Sequence, residues 1–221
     1  MKFNFKIQDY QTYAVNSIVN CFKGQKYNDE ISYRRDIGDI NKISNESIKL
    51  DLDSTELTIK DDFDETGFKN QNITLTNDEL LSNIRNVQQL NNIMLSDSLI
   101  GDLGACTLDI EMETGTGKTY VYIKTMFELN QKYGWSKFIV VVPSIAIREG
   151  VKKSFETTED HFMQIYQRKI RYFVYDSKNL NQLDSFSSNA GINCMIINMQ
   201  AFNTFKEGAK NKAARIIYSE R

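Results

Sequence analysis

The sequence predicts an α/β domain, a parallel sheet with helices on both faces. Three observations carry this. Over residues 107–205, short apolar runs alternate with helical segments, the pattern of strands joined by crossover helices. Phe138-Ile-Val-Val-Val142 is a nearly unbroken apolar run, as expected of a strand covered on both faces. The octapeptide Met112-Glu-Thr-Gly-Thr-Gly-Lys-Thr119 sits between a run of β-compatible alternation, Thr107 to Met112, and a helical run, Tyr120 to Tyr133, closed by Gly134. Strand, glycine loop and helix in that order form one supersecondary unit.

The elements follow along three regions. In residues 1–24, Tyr10, Ala14, Ile18 and Phe22 recur at helical spacing, and Gly24 stops the helix. Residues 25–106 are acidic and Asn-rich, with the cluster Asp61-Asp-Phe-Asp-Glu65. The alternating runs Ser47 to Leu52 and Glu56 to Ile59 suggest a hairpin or loose strands. A clear helix follows. Thr76 caps it, Glu79 completes a capping box, and Leu80, Ile84, Val87, Leu90 and Met94 share one face. The region reads as an α/β insertion between the N-terminal helix and the core, its acidic cluster a solvated loop. Residues 107–221 hold the core. Its strands are expected at Leu108–Met112, Phe138–Val142, Arg171–Tyr175 and Cys194–Asn198, and its polar, basic end from Lys206 to Arg221 is expected to be helical or loose.

The octapeptide has the chemistry of a phosphate cradle. Gly115 and Gly117 let the backbone curl so that its N–H groups point at anionic oxygens. The helix that follows adds its N-terminal partial positive charge. Thr114, Gly115, Thr116, Gly117, Lys118 and Thr119 are the candidate phosphate ligands, with Lys118 reaching the outer phosphates of ATP and the Thr119 hydroxyl on Mg²⁺. Met112 stands where such loops usually begin with glycine, the least demanding position, because the last residues build the cradle.

Composition narrows the chemistry. The 221 residues suffice for one sizeable domain, or one domain plus an insertion. The net charge of −2 creates no global basic field, although a motor gripping DNA in a groove needs only local positive charge. Cys21, Cys106 and Cys194 are too scattered for a metal site and read as reduced thiols of a cytosolic protein. With His161 the sole histidine, a histidine metal site or a Ser-His-Asp triad is ruled out of the leading readings. The start of the chain is too polar for a signal peptide, and no apolar run is long enough to span a bilayer. The abundance of Asn, Lys and Ile reads as genome bias.

Two further segments bear on the loop. Pro143, the only proline, ends the strand before it, and Ser144 is placed to cap the next helix and offer N–H groups to a phosphate. Arg148, one turn on, is in reach of a nucleic-acid phosphate or a neighbouring carboxylate. An ordinary strand-to-helix turn explains these residues equally well. Gln11, after Tyr10, offers a donor and an acceptor side by side, which matches the edge of adenine; a polar surface residue is the plainer reading.

Tyr10-Gln11, METGTGKT, the segment Val141-Val-Pro-Ser-Ile-Ala-Ile-Arg-Glu-Gly-Val151 and Ile196-Ile-Asn-Met-Gln-Ala-Phe202 together resemble the start of the Res (restriction and translocation) subunit of Type III restriction-modification enzymes. The resemblance covers both ends of the chain and most of 107–205, and less specifically the helix with Arg85, Val87 and Gln88. It implies a RecA-like P-loop NTPase domain of a superfamily 2 helicase-like motor, joined in the whole enzyme to a nuclease domain. It implies that Gln11 is the adenine-recognising Gln motif, that Lys118 and Thr119 belong to helicase motif I, and that Pro143 and Ser144 belong to motif Ia. Ser144, Arg148 and Gln200 are then DNA-backbone contacts. ATP and Mg²⁺ are the implied cofactors. DNA and a modification (methyltransferase) subunit are the implied partners, with no membrane and a bacterial cytoplasmic setting.

An NTPase of this type also needs an acidic residue at the end of a later strand, and the last predicted strand ends in Asn198. The expectation is an N-terminal fragment that lacks motif II, the second RecA-like domain and the nuclease, and so contains no catalytic residue of its own. Two alternatives stand beside this one: the motor of another superfamily 2 translocase, such as a Type I restriction subunit, and a non-catalytic binding module with a P-loop.

Overall fold

The computed structural model describes residues 5–28, 31–34, 66–101, 104–176 and 181–201. The elements run α1 (Asp9–Cys21), β1 (Ile31–Arg34), β2 (Thr66–Lys69), α2 (Asn77–Leu90), α3 (Lys118–Tyr133), β3 (Lys137–Val142), α4 (Ile145–Tyr166), β4 (Arg171–Val174), α5 (Asn181–Ser188) and β5 (Asn193–Asn198). The runs Ser47 to Leu52 and Glu56 to Ile59, the acidic cluster at 61–65, Phe202 and the segment Lys206 to Arg221 lie outside the described residues.

The predicted class is the observed one. β5 lies between β3 and β4 and pairs with both in parallel. Its alternate residues serve opposite faces. Cys194 and Ile196 meet Ile123, Phe127, Phe155 and Phe162 from α3 and α4. Met195 and Ile197 meet Leu183 of α5. Covered on both sides, β5 can be apolar at every position from Cys194 to Ile197, and all four are fully buried. β1 and β2 form a separate antiparallel pair.

One expected strand is absent. Residues 108–112 lie in neither a helix nor a strand. Leu108 and Met112 instead pack into a second cluster with α1, α2 and α3, around Val15, Val19, Leu80, Ile84, Val121 and Trp135. Ile110, the middle residue of the alternation, is 45% exposed, so the run packs only at its two ends. The run therefore has strand-like sequence without a strand partner among the described residues.

Two helix faces are also corrected. On α1 the buried stripe is Val15, Val19 and Phe22, with Ala14 and Ile18 at its margin and Tyr10 half exposed. On α2 the capping box forms as expected: the Glu79 N–H donates to the Thr76 hydroxyl, and the Thr76 N–H donates to the Glu79 carboxylate at 2.8 Å. Leu80 and Ile84 are buried, but Leu90 is 76% and Met94 90% exposed. The helix ends at Leu90, so the periodicity beyond it has no helix to act on.

Side chains sew the segment before α2 onto the core. Asn70 accepts the N–H groups of Ser136 and Lys137 on its Oδ1, at 2.7 and 2.8 Å, and donates to the Lys137 carbonyl. The Trp135 indole donates to the Gln71 carbonyl, and the Gln25 amide accepts from the Thr74 N–H and donates to the Asn72 carbonyl. These bonds satisfy backbone groups that neither sheet reaches.

Lys137 begins β3 and closes α5. Its Nζ donates to the Phe186 carbonyl at 2.6 Å and to the Asn189 carbonyl, at the helix end where cations are favoured. Burial, and then the Arg171 guanidinium, push its pKa down from 10.5 to about 8. The unfolded chain holds this proton to higher pH than the folded one. Through this group the fold therefore gains stability as pH rises from about 8 towards 10.5. Side-chain NMR should give Lys137 a titration midpoint near 8, and the wild type should gain stability relative to Lys137→Met over that window. A midpoint at the ordinary lysine value would contradict the burial argument.

Candidate functional site

The glycine loop has the backbone its sequence demands. Gly115 has φ +83 and Gly117 φ +86, both in the left-handed region that favours glycine. Gly117 is the N-cap of α3, so the helix starts at Lys118 and its first N–H groups lack intrahelical partners. The Val121 N–H returns to the Gly117 carbonyl and begins the helical ladder. A Cβ at Gly115 would meet open space, whereas one at Gly117 would lie 2.7 Å from the Gln11 Nε2.

Inside the loop the Glu113 carbonyl is the hub. It accepts the Thr116 hydroxyl at 2.7 Å and the Lys118 ammonium at 2.9 Å. Lys118 is exposed and folded back on its own loop. A neutral carbonyl is a weaker partner for an ammonium than a charged oxygen, so an anion arriving at the loop competes well for it.

Helix α1 docks on this loop. Gln11 Nε2 donates to the Thr116 carbonyl at 2.9 Å, and the Tyr10 hydroxyl donates to the same oxygen at 3.2 Å. The Gln11 Oε1 has no hydrogen-bond partner among the described residues. Sequence reasoning put Gln11 at the site but passed over Tyr10 as a contact. Its signal was only the adjacency to Gln11. Deeper along the same pair of helices, Lys124 is buried and donates to the Thr12 hydroxyl at 3.0 Å, and the Tyr133 hydroxyl donates to the Val19 carbonyl at 2.9 Å. These bonds fix the angle at which α1 presents Gln11.

The remaining candidates gather at the sheet. Ser144 is the N-cap of α4 and accepts the Ile147 N–H at 3.3 Å. Of the two partners open to Arg148, the structure has the carboxylate: its guanidinium donates to Glu149 at 3.0 and 3.2 Å. Val142 and Asn198 are register partners on adjacent parallel strands. Ser144 and Gln200 therefore leave the same carboxyl end of the sheet, where open α/β sheets hold ligands. Asn198 donates to the Gln200 side chain and accepts the Ala201 N–H, so β5 ends on a neutral amide engaged locally. Among the described residues no hydrogen bond, ion pair or ring contact joins Ser144, Arg148 or Gln200 to the glycine loop.

A groove of about 840 Å³ opens beside the loop, between α1, α2 and residues 107–113. Its walls are mostly apolar, including Ile18, Ile84 and Met112, and Asp109, Glu111 and Glu113 also line it. Three carboxylates repel a polyphosphate, which leaves the loop and the start of α3 as the candidate phosphate position.

With this geometry in hand, comparison with known proteins decides the family. The model of the family "Type III restriction enzyme, res subunit" matches residues 4–218. The chain belongs to this family. Type III Res relatives include the EcoP15I Res subunit of Escherichia coli, 35% identical over 142 residues, which is 63% of this chain and 14% of that protein. The EcoPI Res subunit of Escherichia phage P1 is 34% identical over 142 residues, with the same coverage. The StyLTI Res subunit of Salmonella typhimurium is 54% identical over 63 residues, 27% of this chain and 6% of that protein. The matched stretch thus spans about a seventh or less of these Type III Res relatives. The Res family has a helicase-like, RecA-type α/β fold, and the three-stranded parallel sheet with helices on both faces agrees with it. No helix among the described residues is long and apolar enough to cross a membrane.

Gly117 carries two constraints, so its replacement separates them. Gly117→Ala forces a left-handed backbone on a residue with a Cβ, at about 1–2 kcal/mol, and drives that Cβ into the Gln11 amide. Thermal unfolding should show the variant destabilised by at least this much. In a Gln11→Ala background, which already lacks the bond to Thr116, Gly117→Ala should cost only the backbone part. Wild-type stability in Gly117→Ala would mean that the loop does not hold this conformation.

Proposed function

We propose that the chain is the ATP-binding part of the motor of a Type III restriction endonuclease, a bacterial cytoplasmic enzyme that translocates on and cleaves DNA at the expense of ATP. The observation that carries this reading is the docking of Tyr10 and Gln11 onto the carbonyl of Thr116, in a loop that ends in Lys118 and Thr119. It joins a base reader to a phosphate cradle.

The residues fit the implied cofactor. The backbone N–H groups of Thr114 to Thr119 and the Lys118 ammonium would hold the phosphates, and the Thr119 hydroxyl would hold Mg²⁺. Bound Mg²⁺ would neutralise phosphate charge. Gln11 keeps an acceptor and a second Nε2 proton for the edge of adenine while its first proton holds Thr116. Ser144, Arg148 and Gln200 contribute a track for the phosphates of one DNA strand. A track of this kind positions the duplex and does not read its bases. Sequence choice then belongs elsewhere, in keeping with a modification subunit as partner.

Two outcomes test this. In the full-length gene product, Lys118→Ala should abolish ATP-driven DNA cleavage. ATPase activity equal to wild type in that variant would defeat the reading. Gln11→Ala should weaken ATP more than inorganic triphosphate, by about 1–3 kcal/mol of lost base-edge pairing. Equal weakening of the two ligands, measured by competition with a fluorescent nucleotide, would return Gln11 to a purely structural role.

A further inference from the structure

The sole histidine lies where three elements meet. His161 Nε2 is 2.9 Å from the Tyr120 hydroxyl. Tyr120 is in the first turn of α3, next to Thr119 and two residues from Lys118. His161 is in the last third of α4, the helix that begins just after Ser144 and carries Arg148. The ring of Phe5, from the segment leading into α1, packs 5.1 Å from the His161 ring and 6.2 Å from the Tyr120 ring. The elements that carry the adenine, phosphate and DNA candidates therefore converge on one polar contact within an aromatic cluster.

The α3–α4 interface holds one other directional contact, the Tyr166 hydroxyl donating to the Glu128 carboxylate at 2.7 Å, towards the end of both helices away from the loop and Ser144. Between the two lie ring contacts. Phe127 lies against Phe162 at 5.1 Å and stacks on Tyr166 at 4.7 Å. Apolar ring contacts tolerate sliding, whereas a hydroxyl–imidazole bond is directional and weakens steeply with misalignment. Burial, and then the nearby Lys124 ammonium, hold His161 below its ordinary pKa. A neutral imidazole with its proton on Nδ1 accepts the tyrosine proton at Nε2.

The loop has a reason to disturb this contact. Lys118 donates one ammonium proton to the Glu113 carbonyl, and a phosphate drawing on the others would pull that side chain and the turn that carries it. Tyr120 shares the first turn of α3 with Lys118 and Thr119, so a shift of that turn carries Tyr120 with it. From His161 back to Ser144, α4 is an unbroken helix of about 25 Å at 1.5 Å per residue. A small rotation at His161 becomes a displacement of the exposed first turn of α4, where Ile145 is 58% and Ile147 51% exposed.

We infer that the Tyr120–His161 contact is the joint through which nucleotide at the glycine loop and DNA at the start of α4 alter each other's binding, with His161 a positioning residue that touches neither ligand. The inference rests on the ATP-and-DNA reading of the two sites. Such coupling is reciprocal: each ligand strengthens the other by the same factor.

The test is that factor, measured in the full-length gene product. A fluorescent ATP analogue is titrated with and without duplex DNA, and labelled DNA with and without a non-hydrolysable ATP analogue. Tyr120→Phe and His161→Leu should leave each ligand's affinity alone within about twofold. Both should lower the coupling factor about three- to tenfold, the range set by one net hydrogen bond. The double variant should lose no more than either single one. His161→Gln, whose amide oxygen can accept the tyrosine proton, should restore part of the factor. A merely structural role would weaken each ligand by itself and show no such rescue. An unchanged coupling factor in Tyr120→Phe, or no mutual effect in the unmutated protein, overturns the joint. Lys118→Ala decides separately whether the nucleotide reading stands: loss of ATP binding there with no coupling in the wild type leaves the site and removes the joint.

Discussion

The position of α3 is the constraint on which the rest depends. Its first residue is the candidate phosphate lysine, and its flanks are fixed from two sides. On one side α1 holds it through the Val15, Val19 and Val121 cluster, the Tyr133–Val19 and Lys124–Thr12 bonds, and the Gln11–Thr116 bond. On the other, α4 holds it through Phe127, Phe162 and Tyr166. A helix N-terminus held this firmly presents its unpaired N–H groups in one direction, which is what an anion site requires. It also explains how two separate apolar clusters serve one site. One cluster seats α3 and α4 on the sheet, and the other seats α1 on α3.

The same arrangement gives the loop's internal contacts a meaning. The Glu113 carbonyl holds Lys118 and Thr116, and the Thr116 carbonyl is held by Tyr10 and Gln11. The protein's own bonds thus shape the loop and hold its glycine backbone. Preorganisation of this sort lowers the ordering cost of binding.

Much of this was legible in the sequence, for identifiable reasons. Glycines at 115 and 117 announce left-handed backbone, and Thr76 with Glu79 announces a capping box, because each follows from local chemistry. The continuous apolar run at 138–142 announces a strand of the parallel sheet. Long-range choices were not legible. Residues 108–112 alternate like a strand, but pairing depends on a neighbour that local sequence does not specify. The α1 stripe shifted from Tyr10 to Val15 and Val19 because tyrosine tips can reach polar partners, here the Thr116 carbonyl, while valines cannot. The seams made by Asn70, Gln71 and Gln25 join residues more than 45 positions apart, and no periodicity marks them. Of the site, the loop was visible and family resemblance pointed to Gln11 as an adenine reader, but the docking of α1 on the Thr116 carbonyl was not legible.

The central claim is that the loop, with α1 docked on it, is a nucleotide site. Backbone amide hydrogen exchange of the full-length protein tests it most directly, with and without Mg²⁺-ATP. The account predicts slowed exchange at the amides of Gly115 to Thr119 and in the first turn of α3, and loss of that slowing in Lys118→Ala. Unchanged exchange there, or slowing confined to the apolar groove between α1 and α2, would contradict it.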